Sequence, residues 1–271
     1  MARIALDAMG GDRAPEVPIA GALLALAELD PAHTVQLVGR TDEVSAELDT
    51  QLRAATGLPA GIRERVTVID APEVIEMSEK PTAAIRSKPN SSMAVGLKLH
   101  ATGKADAFVS AGNTGAQMAA SVFLLKLHAG LTRPAIATTF PTQRNPVVVL
   151  DAGANVDCSA EELVQFARLG AVYAEDILDR ANPAVGLLSI GEEPEKGNAV
   201  VKEAHQLLQA AGINFLGNVE GRDLPTGQCD RGPVDVVVCD GFVGNVVLKF
   251  YEAIAPFIIG LLSSPGSMRK P

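Results

Sequence analysis

The stretch Val234-Asp-Val-Val-Val-Cys-Asp240-Gly241-Phe-Val-Gly244-Asn245, continued by VVLKFYEAIAPFIIGLL over residues 246–262, sets a strand, a turn and a helix end to end. The run Val234–Asp240 predicts a strand covered on both faces, because a strand with one wet face alternates polar and apolar residues. Asp240-Gly241 ends the strand, and Val243–Leu262 has the length and apolar content of a helix. The same unit recurs upstream. Strands are predicted at Arg3–Asp7, Thr34–Gly39, Arg65–Asp70, Ala107–Ser110, Ala135–Phe140, Val147–Asp151 and Val185–Ile190. Helices are predicted at Val17–Leu29, Glu43–Ala55, Ser91–His100, Gly115–His128, Ala160–Leu178 and Ala199–Ala211. Strands alternating with helices give an α/β fold with a mostly parallel sheet covered on both faces. Pro72–Asn90 lacks clear periodicity and is predicted to be a long loop.

The chain has 271 residues, 47% hydrophobic and 20% charged, enough for a sizeable core and too apolar for intrinsic disorder. No linker or low-complexity tract divides it, so one domain over residues 1–271 is expected. A formal charge of −9, no Trp and two Tyr argue against a nucleic-acid partner, which needs basic surface and stacking platforms. Cys158, Cys229 and Cys239 have no C-x-x-C spacing, which speaks against a disulfide framework or a zinc ribbon. Asp7 interrupts the N-terminus before a signal-peptide core can form, and no run of about 18 apolar residues exists. A cytoplasmic chain without a spanning helix is therefore expected. The charge is unevenly spread: Lys80, Arg86, Lys88, Lys98, Lys104, Lys126, Arg133 and Arg144 face one carboxylate, Asp106, across residues 80–150. That stretch carries +7 and the remainder −16. It reads either as solvated surface or as a local anion site on an acidic protein.

Five predicted strands end in loops of one kind. They are Asp7-Ala-Met-Gly10-Gly11-Asp12, Ser110-Ala-Gly112-Asn113-Thr114-Gly115, Asp151-Ala-Gly153-Ala-Asn155, Gly191-Glu-Glu-Pro-Glu-Lys196-Gly197-Asn198 and Asp240-Gly241-Phe-Val-Gly244-Asn245. Each taken alone is an ordinary strand-to-helix turn. Together, at the carboxyl edge of a parallel sheet, they point to an oxyanion-binding cleft. G-x-G-x-x-G, the Walker sequence, G-x-S-x-G, S-x-x-K and H-E-x-x-H are all absent. The four histidines are read as lying at helix ends or surfaces. No metal, no cofactor and no covalent nucleophile are therefore expected, and bound phosphate could itself be the nucleophile.

IALDAMGGD, MSEKP with RSKPNSSM, DAFVSAGNTGA, VVLDAGANVDC, SIGEEPEKGN, FLGNVEGRD and VDVVVCDGFVGNVVLK run in order from Ile4 to Lys249. The chain in these segments resembles the phosphate acyltransferase (PlsX) family of bacterial phospholipid synthesis. The resemblance implies a three-layer α/β/α fold like the isocitrate/isopropylmalate dehydrogenases, and conversion of acyl-[acyl carrier protein] and inorganic phosphate to acyl phosphate and free carrier. It further implies a homodimer, peripheral contact with the inner face of the cytoplasmic membrane, and delivery of product to a membrane glycerol-3-phosphate acyltransferase. Pro89 departs from the basic pattern of the RSKPNSSM segment. The family is expected to continue well beyond Lys249, whereas this chain closes on Ser263-Ser-Pro-Gly-Ser-Met-Arg-Lys-Pro271. The rivals are a CoA-dependent phosphate acetyl- or butyryltransferase and a non-catalytic membrane-associated partner.

Within that reading, Gly10, Gly11, Gly112, Asn113 and Thr114 cradle phosphate, with Arg86 and Lys88 as charge partners. Asn155 or Asn198 donates to the developing oxyanion, and Lys196 steadies the leaving thiolate. Asp7 and Asp240 orient these donors, and Asp12, Ser110, Asp151, Gly241 and Asn245 complete the substrate-binding set. The apolar stretch Val246–Leu262 is either a buried or dimer-packing helix or a membrane-surface helix partly broken at Pro256.

Overall fold

The strand and helix periods sort into two mostly parallel sheets instead of one continuous sheet. The computed structural model describes residues 1–263, so residues 264–271 of the closing stretch lie outside the described residues. The chain divides into one compact unit over Met1–His128 and a second from Ala129 onward.

In the first unit the elements are β1 (Arg3–Asp7), α1 (Glu16–Glu28), β2 (Thr34–Gly39), α2 (Thr41–Ala54), β3 (Val66–Asp70), α3 (Pro81–Ser87), α4 (Ser92–Ala101), β4 (Ala107–Val109) and α5 (Thr114–Leu124). The sheet order is β3-β2-β1-β4, with every pair parallel. Strand alternation divides the core into layers. Val35, Leu37 and Val66 pack with Ile19, Leu23 and Leu26 of α1 and Val44 and Leu48 of α2. Ala5 and Val38 face the opposite way, toward Val95 and Leu99 of α4.

The second unit contains β5 (Thr138–Phe140), β6 (Val147–Leu150), α6 (Ala160–Leu178), β7 (Val185–Leu188), α7 (Ala199–Gln209), β8 (Phe215–Val219), β9 (Gln228–Cys229), β10 (Gly232–Pro233), β11 (Val236–Val238) and α8 (Gly241–Ser263). Its main sheet runs β5-β6-β11-β7-β8, antiparallel only at β5-β6, and β9-β10 forms a small hairpin. Val148, Leu150, Leu187, Val236 and Val238 face Leu163 and Phe166 of α6 and Ala204 and Leu208 of α7. Val149, Val237 and Cys239 face the other way, toward Val247, Leu248 and Tyr251 of α8. Each unit is thus a helix-sheet-helix sandwich.

Three local expectations change. The predicted loop Pro72–Asn90 contains α3, a short helix that Pro81 opens at its first position, where the missing N–H costs nothing. β8 escaped the strand reading because Gly217, in a left-handed conformation, and the polar Asn218 interrupt its apolar run. The pairing of β7 with β8 shifts register there. Finally, α8 runs unbroken through Pro256. By length and composition α8 could cross a membrane, and none of its most apolar window is buried. Lys249 and Glu252 interrupt the run and hid it from the apolar-run test.

Candidate functional site

Parallel pairing of β1 with β4 sets Leu6 opposite Val109, so the two following loops leave the sheet side by side. Asp7 is buried there, and its carboxylate accepts hydrogen bonds from the Ser110 hydroxyl at 2.7 Å and the Met9 N–H at 3.1 Å. The Ser110 oxygen in turn accepts from the Gly112 N–H at 3.0 Å. Gly10 allows this contact, since a Cβ at that position would lie 2.8 Å from both Gly112 N and Asp7 Oδ2. A cavity of about 490 Å³ opens beside Asp7, Gly10, Gly11, Asp12 and Ser110.

Asn113 does two jobs. Its Oδ1 accepts from Ala116 N–H at 3.0 Å and caps α5. Its Nδ2 donates toward the carbonyls of Glu76, Met77 and Glu79 at 3.4, 3.2 and 3.3 Å. The same segment is held by Lys88, whose ammonium lies 2.6 Å from Glu79 Oε2 and 2.7 Å from the Val74 carbonyl. That ammonium, as the larger cause, and the Glu76 N–H hold the Glu79 carboxyl below its ordinary range. Lys88, expected as a phosphate partner, is thus engaged in clasping a loop. Arg86 is exposed and forms no ion pair among the described residues, and Thr114 opens α5 at the surface.

The second unit is built around Asp151, which is fully buried. One carboxylate oxygen accepts from the N–H groups of Ile136, Gly153 and Ala154 at 3.0, 3.1 and 2.9 Å. The other accepts from Asn155 N and Nδ2 at 2.6 and 2.9 Å. Five hydrogen bonds thus converge on this carboxylate, which organises the turn after β6. Asn155 also donates from Nδ2 to the Pro134 carbonyl at 2.7 Å. The amide expected to face an oxyanion therefore has both hydrogens committed to the fold. Gly241 donates its N–H to the Asn155 carbonyl at 2.7 Å, and Asn245 leans on Gly153. Helix α8 crosses so near that a Cβ on Gly244 would lie 1.8 Å from the Asp151 carbonyl oxygen.

Asp240 accepts from Val243 N–H at 2.8 Å, and Asn198 accepts from Val201 N–H at 2.9 Å, each capping a helix. Asn198 is exposed, as is Lys196, whose stem folds over Gly191 and which forms no ion pair among the described residues. These two and Arg86 are polar groups in exposed positions. Burial, and after it Asp151, Glu162 and Asp240, pushes the Cys158 thiol up to about 11 against a Gly241 backbone contact that lowers it. Burial, with Asp240 and Asp151 adding to it, also pushes Cys239 up.

Sequence reasoning missed one network. His205, expected near a helix end or surface, is buried: its Nδ1 lies 3.0 Å from Asn218 Oδ1 and its Nε2 3.3 Å from Gln209 Nε2. Asn218 Nδ2 then donates to the Glu193 carbonyl at 2.7 Å, and Arg231 donates to the Asn218 carbonyl. This relay ties β8 and α7 to the loop that carries Lys196. The Asn218 within FLGNVEGRD was the available signal, because a polar residue inside an apolar strand demands a buried partner.

The profile of the fatty acid synthesis protein family matches residues 2–269. A phosphate acyltransferase of Salinibacter ruber is 50% identical over 254 residues, 93% of this chain and 72% of that protein. One of Clostridium botulinum strain Loch Maree is 44% identical over 96% of the chain and 73% of its own length. Among solved structures, the EutD phosphotransacetylase of Staphylococcus aureus aligns with a TM-score of 0.66 at 18% identity, over 94% of this chain and 82% of its own. A putative 4-hydroxythreonine-4-phosphate dehydrogenase of Salmonella typhimurium aligns at 0.55 and 15% identity, over 92% and 85%. At such identities these two establish the fold alone, whereas the family profile spans the five strand-end loops. The chain belongs to the fatty acid synthesis protein family, together with its phosphate acyltransferase relatives.

Proposed function

We propose that this chain transfers the acyl group of a long-chain acyl-[acyl carrier protein] to inorganic phosphate, giving acyl phosphate and free carrier. The observation that carries the reading is kinship to phosphate acyltransferases over nearly the whole chain. A phosphate oxygen attacks the thioester carbonyl, the C–O bond forms, and the tetrahedral oxyanion collapses with loss of the C–S bond. The phosphate proton ends on the departing sulfur as a free thiol. Near neutrality phosphate is already largely dianionic, so the protein supplies orientation and charge stabilisation. The raised Cys158 and Cys239 thiols fit a route without a cysteine nucleophile.

In this scheme Arg86 and the open N–H groups at the start of α5 receive phosphate, while Asn113 and Lys88 hold the loop beside them. Lys196 neutralises the leaving thiolate, and Asn198 serves the oxyanion. Asp7 fixes the turns beside the start of α5 in the first unit, and in the second Asp151 and Asn155 fix the turn after β6. A homodimer, peripheral contact with the membrane and hand-over to a membrane glycerol-3-phosphate acyltransferase belong to the same proposal. The exposed apolar face of α8 supports the membrane contact.

The test is phosphate-dependent release of free thiol from hexadecanoyl carrier protein, with the acyl phosphate trapped by hydroxylamine, run beside hexadecanoyl-CoA and acetyl-CoA. Preference for the long-chain carrier thioester is expected. Preference for acetyl-CoA would convert the reading to a phosphotransacetylase, and no thiol release from any donor would remove the catalytic role.

A further inference from the structure

A cavity of about 630 Å³ opens at the carboxyl ends of β7 and β11 in the second unit. Leu163, Leu187 and Cys239 line it, each no more than 3% exposed. Its other apolar walls reach the surface, where Val156 is 63% exposed, Ile190 81% and Val243 36%. Such walls offer phosphate nothing. They suit an alkyl chain, whose transfer from water is favourable in proportion to the area covered. One polar atom stands out: Ser189 Oγ is buried and has no hydrogen-bond partner among the described residues. A buried hydroxyl without a partner is costly, and a ligand carbonyl oxygen would satisfy it. Asn198 and Asp240 also line this cavity, and Lys196 lies on the same loop as Ser189 and Asn198.

Resting on the thioester reading above, we infer that this cavity seats the fatty acyl chain, with Ser189 donating to the thioester carbonyl. The carrier's prosthetic arm fits less well, because its amides and hydroxyl would meet walls that are mainly aliphatic. The cavity thereby sets chain-length preference.

Val200→Trp fills the space from the first turn of α7, and Ser189→Ala removes the donor. With hexadecanoyl-CoA and butyryl-CoA as donors, the tryptophan variant should lose about tenfold or more in kcat/KM for the long chain. It should lose much less for the short one, with KM for phosphate unchanged. The alanine variant should lose kcat for both chains alike. Equal losses at both lengths in the tryptophan variant would overturn the assignment. A measurement on the unmodified protein guards against misfolding: bound radiolabelled hexadecanoyl-CoA should be displaced by free hexadecanoate. Displacement by CoA but not by hexadecanoate would place the chain elsewhere. Loss of the acyltransferase reading shows separately, as absence of phosphate-dependent thiol release while the displacement result still reports on the cavity.

Discussion

Asn113, expected to cradle phosphate, has both ends of its side-chain amide engaged within the fold. It caps α5 with its oxygen and gathers three carbonyls with its nitrogen, so its amide is a clasp for residues 76–79. The two halves separate by substitution. Asn113→Ser keeps a capping oxygen and loses the clasp, and losing these part-buried hydrogen bonds should cost about 1 kcal/mol in urea unfolding. Asn113→Ala loses the cap as well, about a further 1 kcal/mol. Both should lower kcat/KM for phosphate severely, through a loosened loop, while KM for the thioester changes little. Unchanged phosphate kinetics in Asn113→Ser would remove this loop from the phosphate site. Cys158 offers a pH test at the same scale. Burial raises its thiol to about 11, so the thiolate is scarce at neutral pH and grows about tenfold per pH unit until that value. Iodoacetamide labelling, read by peptide mapping, should still be climbing above pH 10, where an ordinary cysteine levels off near 9. A plateau near pH 9 would contradict the burial seen here.

Helix α8 is held to the sheet at its start and bare beyond it. Gly241 and Gly244 are its buried residues, while Phe250, Phe257, Ile258, Ile259 and Leu262 are exposed. A helix that apolar on its free face is expected to meet lipid or a second copy of the chain. Ile258→Glu together with Ile259→Glu should abolish flotation with phosphatidylglycerol vesicles while far-UV circular dichroism is unchanged. Equal flotation would put the lipid contact elsewhere, and a loss of dimer mass without vesicles would assign the face to a second copy. The existence of this helix was legible from its apolar content, and that of α6 to the residue, from Ala160 to Leu178. Its continuity through Pro256 was not, because sequence shows the missing N–H and not what the surrounding turns tolerate. The same distinction runs through the site. The strand-end loops announced themselves by Gly, Asn and Asp at strand ends, since those residues are chosen for backbone reasons that sequence displays. Which side-chain donors are already engaged, as in Asn155 and Lys88, depends on partners distant along the chain, such as Pro134, Val74 and Glu79. The two-sheet division was equally hidden, because a strand's period states that it pairs and not with which strand.

For the molecule as a whole, the question left by the charge pattern is which cations remain available. Among residues 80–150, Lys88 and Arg133 sit in ion pairs, Arg144 reaches Gln228 and Lys126 lies over the Phe123 ring. Lys80, Arg86, Lys98 and Lys104 are exposed and form no ion pair among the described residues. On a chain of net charge −9, unneutralised cations in the first unit form a local exception to the prevailing field. An acidic carrier is the partner such cations would steer, because complementary charge speeds encounter and is screened by salt. Lys98→Glu with Lys104→Glu, both outside the strand-end loops, should therefore raise KM for the carrier thioester at low ionic strength. The defect should shrink as salt approaches about 0.5 M, where screening falls to a few ångströms. Reaction with hexadecanoyl-CoA should be little changed in KM by the same pair, since this donor lacks the carrier's protein surface. Equal losses with both donors would place the two lysines in a role common to every thioester, and a salt-independent loss would mark a structural defect. Only the donor-specific, salt-sensitive pattern assigns them to carrier recognition.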